Sequence, residues 1–257
     1  MNISTKASAR RTVLVTGSSR GIGLAIAREF AILGDQVVLN GHTDQIQLDL
    51  AVKELRQYTP SNPNKPSVIG ILANMSDYSQ AQRAFAEIKN CFGPVKILVN
   101  NAGMAHFGLF SDMTPSQWDE VMSHNFSTVL NTTHLAVPDM VKAKDGVIIN
   151  ISSIWGTTGA SCEAVYAAAK GAVHTFTKSM AQELGPSGVR VCAVACGAIE
   201  TRMNERLSQE EREVFTENIP LMRFGDPTEV GKLVRFLASD EAAYLTGQII
   251  GLDGGMI

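Results

Sequence analysis

The chain has 257 residues, enough for one large domain or two small ones, and 45% of them are hydrophobic, enough for a sizeable core. Lys and Arg number 22 against 25 Asp and Glu, a net charge of −3 with no block of basic residues, so no nucleic-acid or membrane-surface partner is expected. No apolar run approaches the ~20 residues of a membrane-spanning helix, and the 18% of charged residues leaves a surface suited to contact with other subunits.

Residues 1–11 carry Lys6, Arg10 and Arg11 and no acid. A secretory leader needs an apolar stretch of ~7–15 residues after such a start, whereas only Val13-Leu14-Val15 follows, so a short flexible tail and a cytoplasmic protein are expected. Strand-like apolar runs then occupy 12–16, 36–40, 68–73, 95–100, 147–151, 189–195 and 248–252. Several are nearly continuous rather than alternating, as in strands covered on both faces. Helical patterns fill 22–33, 45–57, 79–92, 115–141, 163–184 and 228–239. Such alternation predicts a single α/β domain over 12–257: a Rossmann-like, doubly wound fold with a seven-stranded parallel sheet and helices on both faces. The proline-rich stretch 59–67 reads as a surface loop, and the charged segment 200–223 as either a substrate lid or a solvated helix. Cys91, Cys162, Cys192 and Cys196 are too few for a disulfide scaffold. Cys192 and Cys196 lie about 13 Å apart along a strand, too far for a bridge or a shared metal. The histidines show no metal spacing, and no metal site is expected.

Thr16-Gly17-Ser18-Ser19-Arg20-Gly21-Ile22-Gly23 leaves the first strand and opens the first helix. Gly17 allows a tight turn, Gly21 lets the backbone approach a pyrophosphate, and Gly23 lets helix and strand pack closely; the helix N-terminus then faces the phosphates. The spacing Gly-x-x-x-Gly-x-Gly resembles the cofactor loop of the short-chain dehydrogenase/reductase family, and the likeness extends from about residue 11 to 257. It implies a nicotinamide dinucleotide, with Ser19, Arg20 and Ile22 at the phosphates. NAD-preferring relatives place an acid after the second strand to hold the ribose 2′-hydroxyl. Here Asn40-Gly41-His42 stands there, so Arg20 and His42 are expected to hold a 2′-phosphate, with NADP(H) preferred and NAD(H) possible. Asp44 argues the other way. Asn74 and Met75 resemble the segment flanking the adenine, and Asn101, Ala102 and Gly103 the turn beside the ribose and nicotinamide.

Tyr166 and Lys170 lie one helical turn apart on one face. An ammonium ~5 Å from a phenol is expected to lower its pKa by roughly 2, and the positive charge of an oxidised nicotinamide to lower it further, toward 7 to 8, so that it can exchange a proton with a carbonyl oxygen. The resemblance adds Ser153, thirteen residues before Tyr166, to orient the substrate oxygen. It also adds Asn125, twenty-eight before Ser153, to anchor a proton-relay water, and gives Lys170 the ribose hydroxyls. After the sixth strand Gly197, Ile199 and Thr201 match the family, but Cys196 stands where relatives carry proline, leaving open a reactive thiol beside the cofactor. His106 is expected at the substrate mouth; His124 and His134 read as helix-face residues. Within the family, 223–230, 236–240 and 246–255 are most similar to 3-oxoacyl-[acyl-carrier-protein] reductases. The resemblance therefore implies a ketone–alcohol interconversion on an acyl thioester, and a homotetramer. Lys144 would meet an acidic carrier protein, although Gly185-Pro186-Ser187-Gly188 lacks the second basic residue expected for it. A sugar-acid, polyol or steroid dehydrogenase of the same family, or an NADP-binding sensor without turnover, are the alternatives.

Overall fold

The computed structural model describes residues 10–59, 67–201 and 208–257. Val13, Leu14 and Val15 are all wholly buried, so the first strand, β1 (Thr12–Val15), has no solvent face and sits mid-sheet. Around it run β2 (Gln36–Gly41), β3 (Val68–Leu72), β4 (Ile97–Asn100), β5 (Gly146–Ser153), β6 (Val189–Cys196) and β7 (Ile249–Leu252). They form one seven-stranded sheet in the order β3-β2-β1-β4-β5-β6-β7, and every pair is parallel. The order reverses between β1 and β4, which opens a crevice at their carboxyl ends, where open α/β sheets bind ligands.

Successive side chains on each strand enter different cores. Val13 and Val15 pack with residues of α1 (Gly21–Ile32), α2 (Gln45–Arg56) and α9 (Pro227–Leu237), among them Phe30, Leu55 and Val234. Leu14 packs on the other face with α3 (Tyr78–Phe92), α5 (Thr128–Ala143) and α7 (Ala164–Leu184), through Ile88, Met140 and Leu184. The expected fold class is thus observed. Polar groups also lie in the interior: Asn100 Nδ2 donates to Asn150 Oδ1 at 2.9 Å, and Asn150 Nδ2 to Thr177 Oγ1 at 2.8 Å. Thr132 Oγ1 donates to Asn100 Oδ1 at 2.6 Å, so β4, β5, α5 and α7 are joined by a satisfied network.

The single helix expected over 115–141 is interrupted. It comprises α4 (Pro115–Met122), a π-helical turn over Ser123–Ser127, and α5. Asn125 Nδ2 donates to Val121 O at 2.9 Å and to Met104 O at 2.7 Å, so the side chain captures a helix carbonyl that the wide turn releases. A one-turn helix, α6 (Trp155–Thr158), precedes α7. In the 200–223 segment the described residues hold α8 (Gln209–Glu217), started by a capping box of Ser208 and Glu211; 202–207 lie outside the described residues, as do 1–9 of the expected tail and 60–66 of the proline-rich loop. Arg11 is anchored, donating to both Asp35 carboxylate oxygens at 2.9 and 2.6 Å. Arg10 Nη1 reaches Ser67 Oγ at 3.0 Å. No helix among the described residues is long and apolar enough to cross a membrane.

Candidate active site

The crevice is a cavity of about 1340 Å³ that runs from the glycine loop to α8. Its first wall is the loop between β1 and α1. Thr16 Oγ1 accepts the backbone N–H groups of Asn101 and Ala102, both at 2.9 Å, and Asn101 Nδ2 donates to Thr16 O and Gly17 O. The turns after β1 and β4 are therefore one rigid unit. Gly23 belongs to it by close approach: a Cβ there would lie 2.5 Å from both Asn101 Nδ2 and Gly17 O. Gly17, Ser19, Arg20, Gly21, Ile22 and Gly23 all line the cavity, and Asn101, Ala102 and Gly103 face them.

The end of β2 closes one side. Asn40 Nδ2 donates to Gly41 O, Ile71 O and Ala73 O, and Asn40 Oδ1 accepts from Gly17 N at 3.2 Å. His42 lines the cavity beyond it. Arg20 Nη2 meets Asp44 Oδ2 at 3.4 Å, both side chains being about half exposed. Asp44 also caps α2 by accepting from Gln47 N. Opposite, the His124 ring lies 5.4 Å from that of His42, tilted by 49°. His124 was expected on a plain helix face; the π-helical turn instead puts it on the cavity wall beside Asn125. Its position next to Asn125 was the signal available in the sequence. Asn74 and Met75 do not line the cavity. Asn74 Oδ1 is occupied by Ser76, and the Met75 carbonyl accepts from Asn131.

At the other end Asn125, Ser153, Tyr166 and Lys170 line one stretch of wall. Lys170 is 4% exposed; its Nζ donates to Ile151 O at 3.1 Å and lies 5.6 Å from the Tyr166 ring centre. Asn125 Oδ1 is buried with no hydrogen-bond partner. A Cβ on Gly103 would fall 2.6 Å from that oxygen and 3.4 Å from Lys170 Nζ, so the missing side chain keeps the space between them open. Ser152 Oγ donates to Lys170 O at 3.3 Å, whereas Ser153 Oγ accepts from Trp155 N, so the two neighbouring serines serve different partners. Met104, Phe107 and Trp155 line the wall here, with Val214 and Phe215 of α8; His106 does not.

The electrostatics differ from the expectation for Tyr166. Desolvation raises the phenol above its ordinary value, the Glu163 carboxylate adds to the rise, and a hydrogen bond with Ser153 opposes it. Desolvation also brings the Lys170 ammonium down to about 8. The expected fall to 7 to 8 combined the Lys170 ion with the charge of an oxidised nicotinamide and left out burial, which raises the phenol here. Burial likewise pushes the Cys196 thiol up to about 12, with Lys170 opposing. At neutral pH it is a protonated thiol, which is not a nucleophile. The loop that follows is held by backbone bonds in the absence of proline: Gly197 N donates to Leu252 O, Gly225 N to Ala198 O and Glu200 N to Gly225 O. Gly197, Ile199 and Thr201 line the cavity from this loop.

Lys144 lies away from this site. It ends α5 just before β5, whose last residue is Ser153. A strand of that length separates them by roughly 25 Å. Gly185–Ser187 form a 3-10 turn just before β6, at the same end of the sheet. No cluster of His, Cys, Asp or Glu among the described residues could hold a metal ion.

Comparison with known proteins agrees with this geometry. A family model described as enoyl-(acyl carrier protein) reductase matches residues 17–257. The 3-oxoacyl-[acyl-carrier-protein] reductase of Thermotoga maritima is 40% identical, over 96% of this chain and 98% of its own length. That of Aquifex aeolicus is 40% identical over 95% of this chain and 96% of its own. An uncharacterized oxidoreductase of Bacillus subtilis is 36% identical over 95% and 98%. With matches of this length to a sheet whose crevice carries the glycine loop, the chain belongs to the short-chain dehydrogenase/reductase family and is an NAD(P)-dependent oxidoreductase.

Proposed function

We propose that the protein is an NADP(H)-dependent reductase that converts a ketone to a secondary alcohol, of the 3-oxoacyl thioester reductase type. The observation that carries this is the meeting of Asn125, Ser153, Tyr166 and Lys170 on one wall of a cavity whose other end is the glycine loop. The residues fit a dinucleotide. The loop has the close approach that Gly23 requires, the α1 N-terminus faces the cavity, and Asn125 Oδ1 is a buried acceptor awaiting a donor. Ser19, Arg20, Gly21 and Ile22 would hold the pyrophosphate and the 2′-phosphate, with His42 beside them. Asn101 to Gly103, Lys170, Gly197, Ile199 and Thr201 would hold the nicotinamide half. When bound, the reduced cofactor supplies the hydride.

Tyr166 supplies the proton. Its raised pKa keeps the phenol protonated at neutral pH, as donation to a carbonyl oxygen requires. Ser153 hydrogen-bonds the same oxygen and orients it. Lys170, fixed by Ile151 O, places an ammonium beside the phenol and stabilises the phenolate formed as the proton leaves. Asn125 Oδ1 and Lys170 Nζ border the gap at Gly103, where a water can return the proton. The wall of Met104, Phe107, Trp155, Val214 and Phe215 suits an acyl chain or another apolar ketone, and α8 acts as the lid of the 200–223 segment.

The similar Thermotoga and Aquifex reductases support a 3-oxoacyl thioester as substrate. The remoteness of Lys144 from Ser153 favours a thioester presented without carrier contacts to Lys144 of the same chain. A cytoplasmic homotetramer completes the proposal. The test is NADPH and NADH oxidation over a panel: an acetoacetyl thioester, an enoyl thioester, a sugar-acid ketone, a cyclic diketone and a steroid ketone. NADPH-linked turnover of the acetoacetyl thioester that falls by about 10²–10⁴ in Tyr166→Phe supports the proposal. Preference for the enoyl thioester, or dinucleotide binding without turnover of any member, overturns it.

A further inference from the structure

No residue of α8 is buried, so no core contact fixes the helix that brings Val214 and Phe215 to the cavity wall. Arg212, which does not itself line the cavity, ties the helix to the body of the domain. Its Nη2 donates to Glu200 Oε2, and its guanidinium carbon lies 4.6 Å from the centre of the Phe224 ring. Both anchors stand on a rigid base. Ile199 and Gly225 form a parallel bridge, Gly225 N donates to Ala198 O, and Glu200 N donates to Gly225 O, so the backbones that carry Glu200 and Phe224 are joined. Phe224 is itself buried. Phe215, three residues after Arg212, meets the same ring at 5.8 Å, tilted by 61°. A guanidinium suits such a place, because it serves a carboxylate and an aromatic face at once.

We propose that Arg212 is a positioning residue for the reduction: by joining Glu200 to the Phe224 ring it holds the wall of Val214 and Phe215 at a fixed distance from the loop of Ile199 and Thr201, and so sets how well the cavity grips the acyl part of a thioester. The inference rests on the proposed function, which gives Ile199 and Thr201 to the nicotinamide half and Val214 and Phe215 to the acyl chain. Glu200 stands between Ile199 and Thr201 in the chain, so one ion pair links the two halves of the site. Arg212 touches neither reacting group, and Ser153, Tyr166 and Lys170 stand on other elements, β5 and α7. Its loss is therefore felt in substrate binding, most of all by long acyl chains that need the wall, and not in the chemical step. An exposed ion pair and a cation–π contact each reach about five-fold in an equilibrium, a strength that holds a helix in place and still lets substrate pass.

The test compares the wild type with Arg212→Leu and Arg212→Lys. In Arg212→Leu the KM for a 3-oxodecanoyl thioester is expected to rise about five-fold or more, the KM for an acetoacetyl thioester to change less than about two-fold, and kcat for both to stay within about two-fold. Arg212→Lys keeps the ion pair and should bring the long-chain KM back to within about two-fold of the wild type. NADPH affinity and the urea midpoint should match the wild type in both variants, which a general loss of structure would not allow. Amide hydrogen exchange of the protein without ligands gives a second readout: residues 209–217 of α8 should exchange about five-fold faster in Arg212→Leu, with 227–237 of α9 unchanged. An unchanged long-chain KM, an equal rise for both thioesters, a fall in kcat alone, or unchanged exchange of α8 overturns the inference. If the wild type turns over neither thioester, the proposed function falls by itself, and the exchange of α8 then decides whether Arg212 holds the wall: faster in Arg212→Leu supports it, unchanged overturns it.

Discussion

Replacing Lys170 with methionine should abolish turnover and yet make the protein more stable at neutral pH. The ammonium is 4% exposed and titrates at about 8 instead of 10.5 because burial disfavours the charged form. At 1.36 kcal/mol for each pH unit, that difference is about 3 kcal/mol of folding free energy at pH 7. Methionine removes this cost and loses the hydrogen bond to Ile151 O, worth about 1 kcal/mol. Lys170→Met should therefore gain about 2 kcal/mol at pH 7. Between pH 8 and 10.5 the unfolded chain binds the lysine proton and the folded chain does not, so wild-type stability rises with pH. The variant lacks that rise, and by pH ~10.5 the order should reverse, with the wild type ahead by about 1 kcal/mol. Cys196 and His174 sense Lys170 but titrate above and below the measured range, and the groups that do not sense it cancel in the difference. Urea unfolding of the two proteins at pH ~7, ~8.5 and ~10 measures it. A variant less stable than the wild type at pH 7, or a gap that does not move toward the wild type as pH rises, refutes the reasoning.

Asp44→Asn should free Arg20 from its half-exposed ion pair and raise NADPH affinity by up to about five-fold relative to NADH, the reach of an exposed pair of ~1 kcal/mol; an unchanged affinity ratio by titration would count against the role given to Arg20. His174 is 8% exposed, its Nε2 has no partner, and burial together with Lys178 and Lys170 holds its pKa below 6.5. Below that value the unfolded state takes up a proton that the folded state resists, so the wild type should lose stability on acidification more steeply than His174→Leu. Equal dependence of their urea midpoints between pH ~7.5 and ~5.5 would remove His174 from the account.

The fold was legible because its signals are local and repeated. β1 and β2 are buried along their whole length, and each is followed by a helix pattern of ordinary period. The glycine loop was legible from its place at the first strand–helix junction, whereas Ser152 and Ser153 both line the cavity and differ in their hydrogen-bond partners, Lys170 O and Trp155 N. His124 was missed although it adjoins Asn125 in the sequence; it lies in a π-helical turn that a regular helical pattern does not anticipate. Lys144 was named for a carrier contact on the family resemblance, although its place before the strand and that of Ser153 after it already put the two at opposite ends. The rise of the Tyr166 pKa was not legible, because spacing supplies the distance to Lys170 but only the packed structure supplies the burial.

The buried amides of Asn100 and Asn150 act as a ruler for the chemistry. Asn100 immediately precedes the turn at Asn101 to Gly103, and Asn150 lies three residues before Ser153 on the adjoining strand. Their mutual hydrogen bond, extended to Thr132 and Thr177, pins β4 against β5 at a single offset. Apolar strand neighbours could slide by two residues and still present the same faces; a slide here would strand buried amide groups at about 1–3 kcal/mol each. The offset between the turn that faces the glycine loop and the serine beside Tyr166 is thereby held at one value. The span across which a hydride and a proton would have to arrive together is set in the sheet, beneath the cavity, by side chains that never reach it.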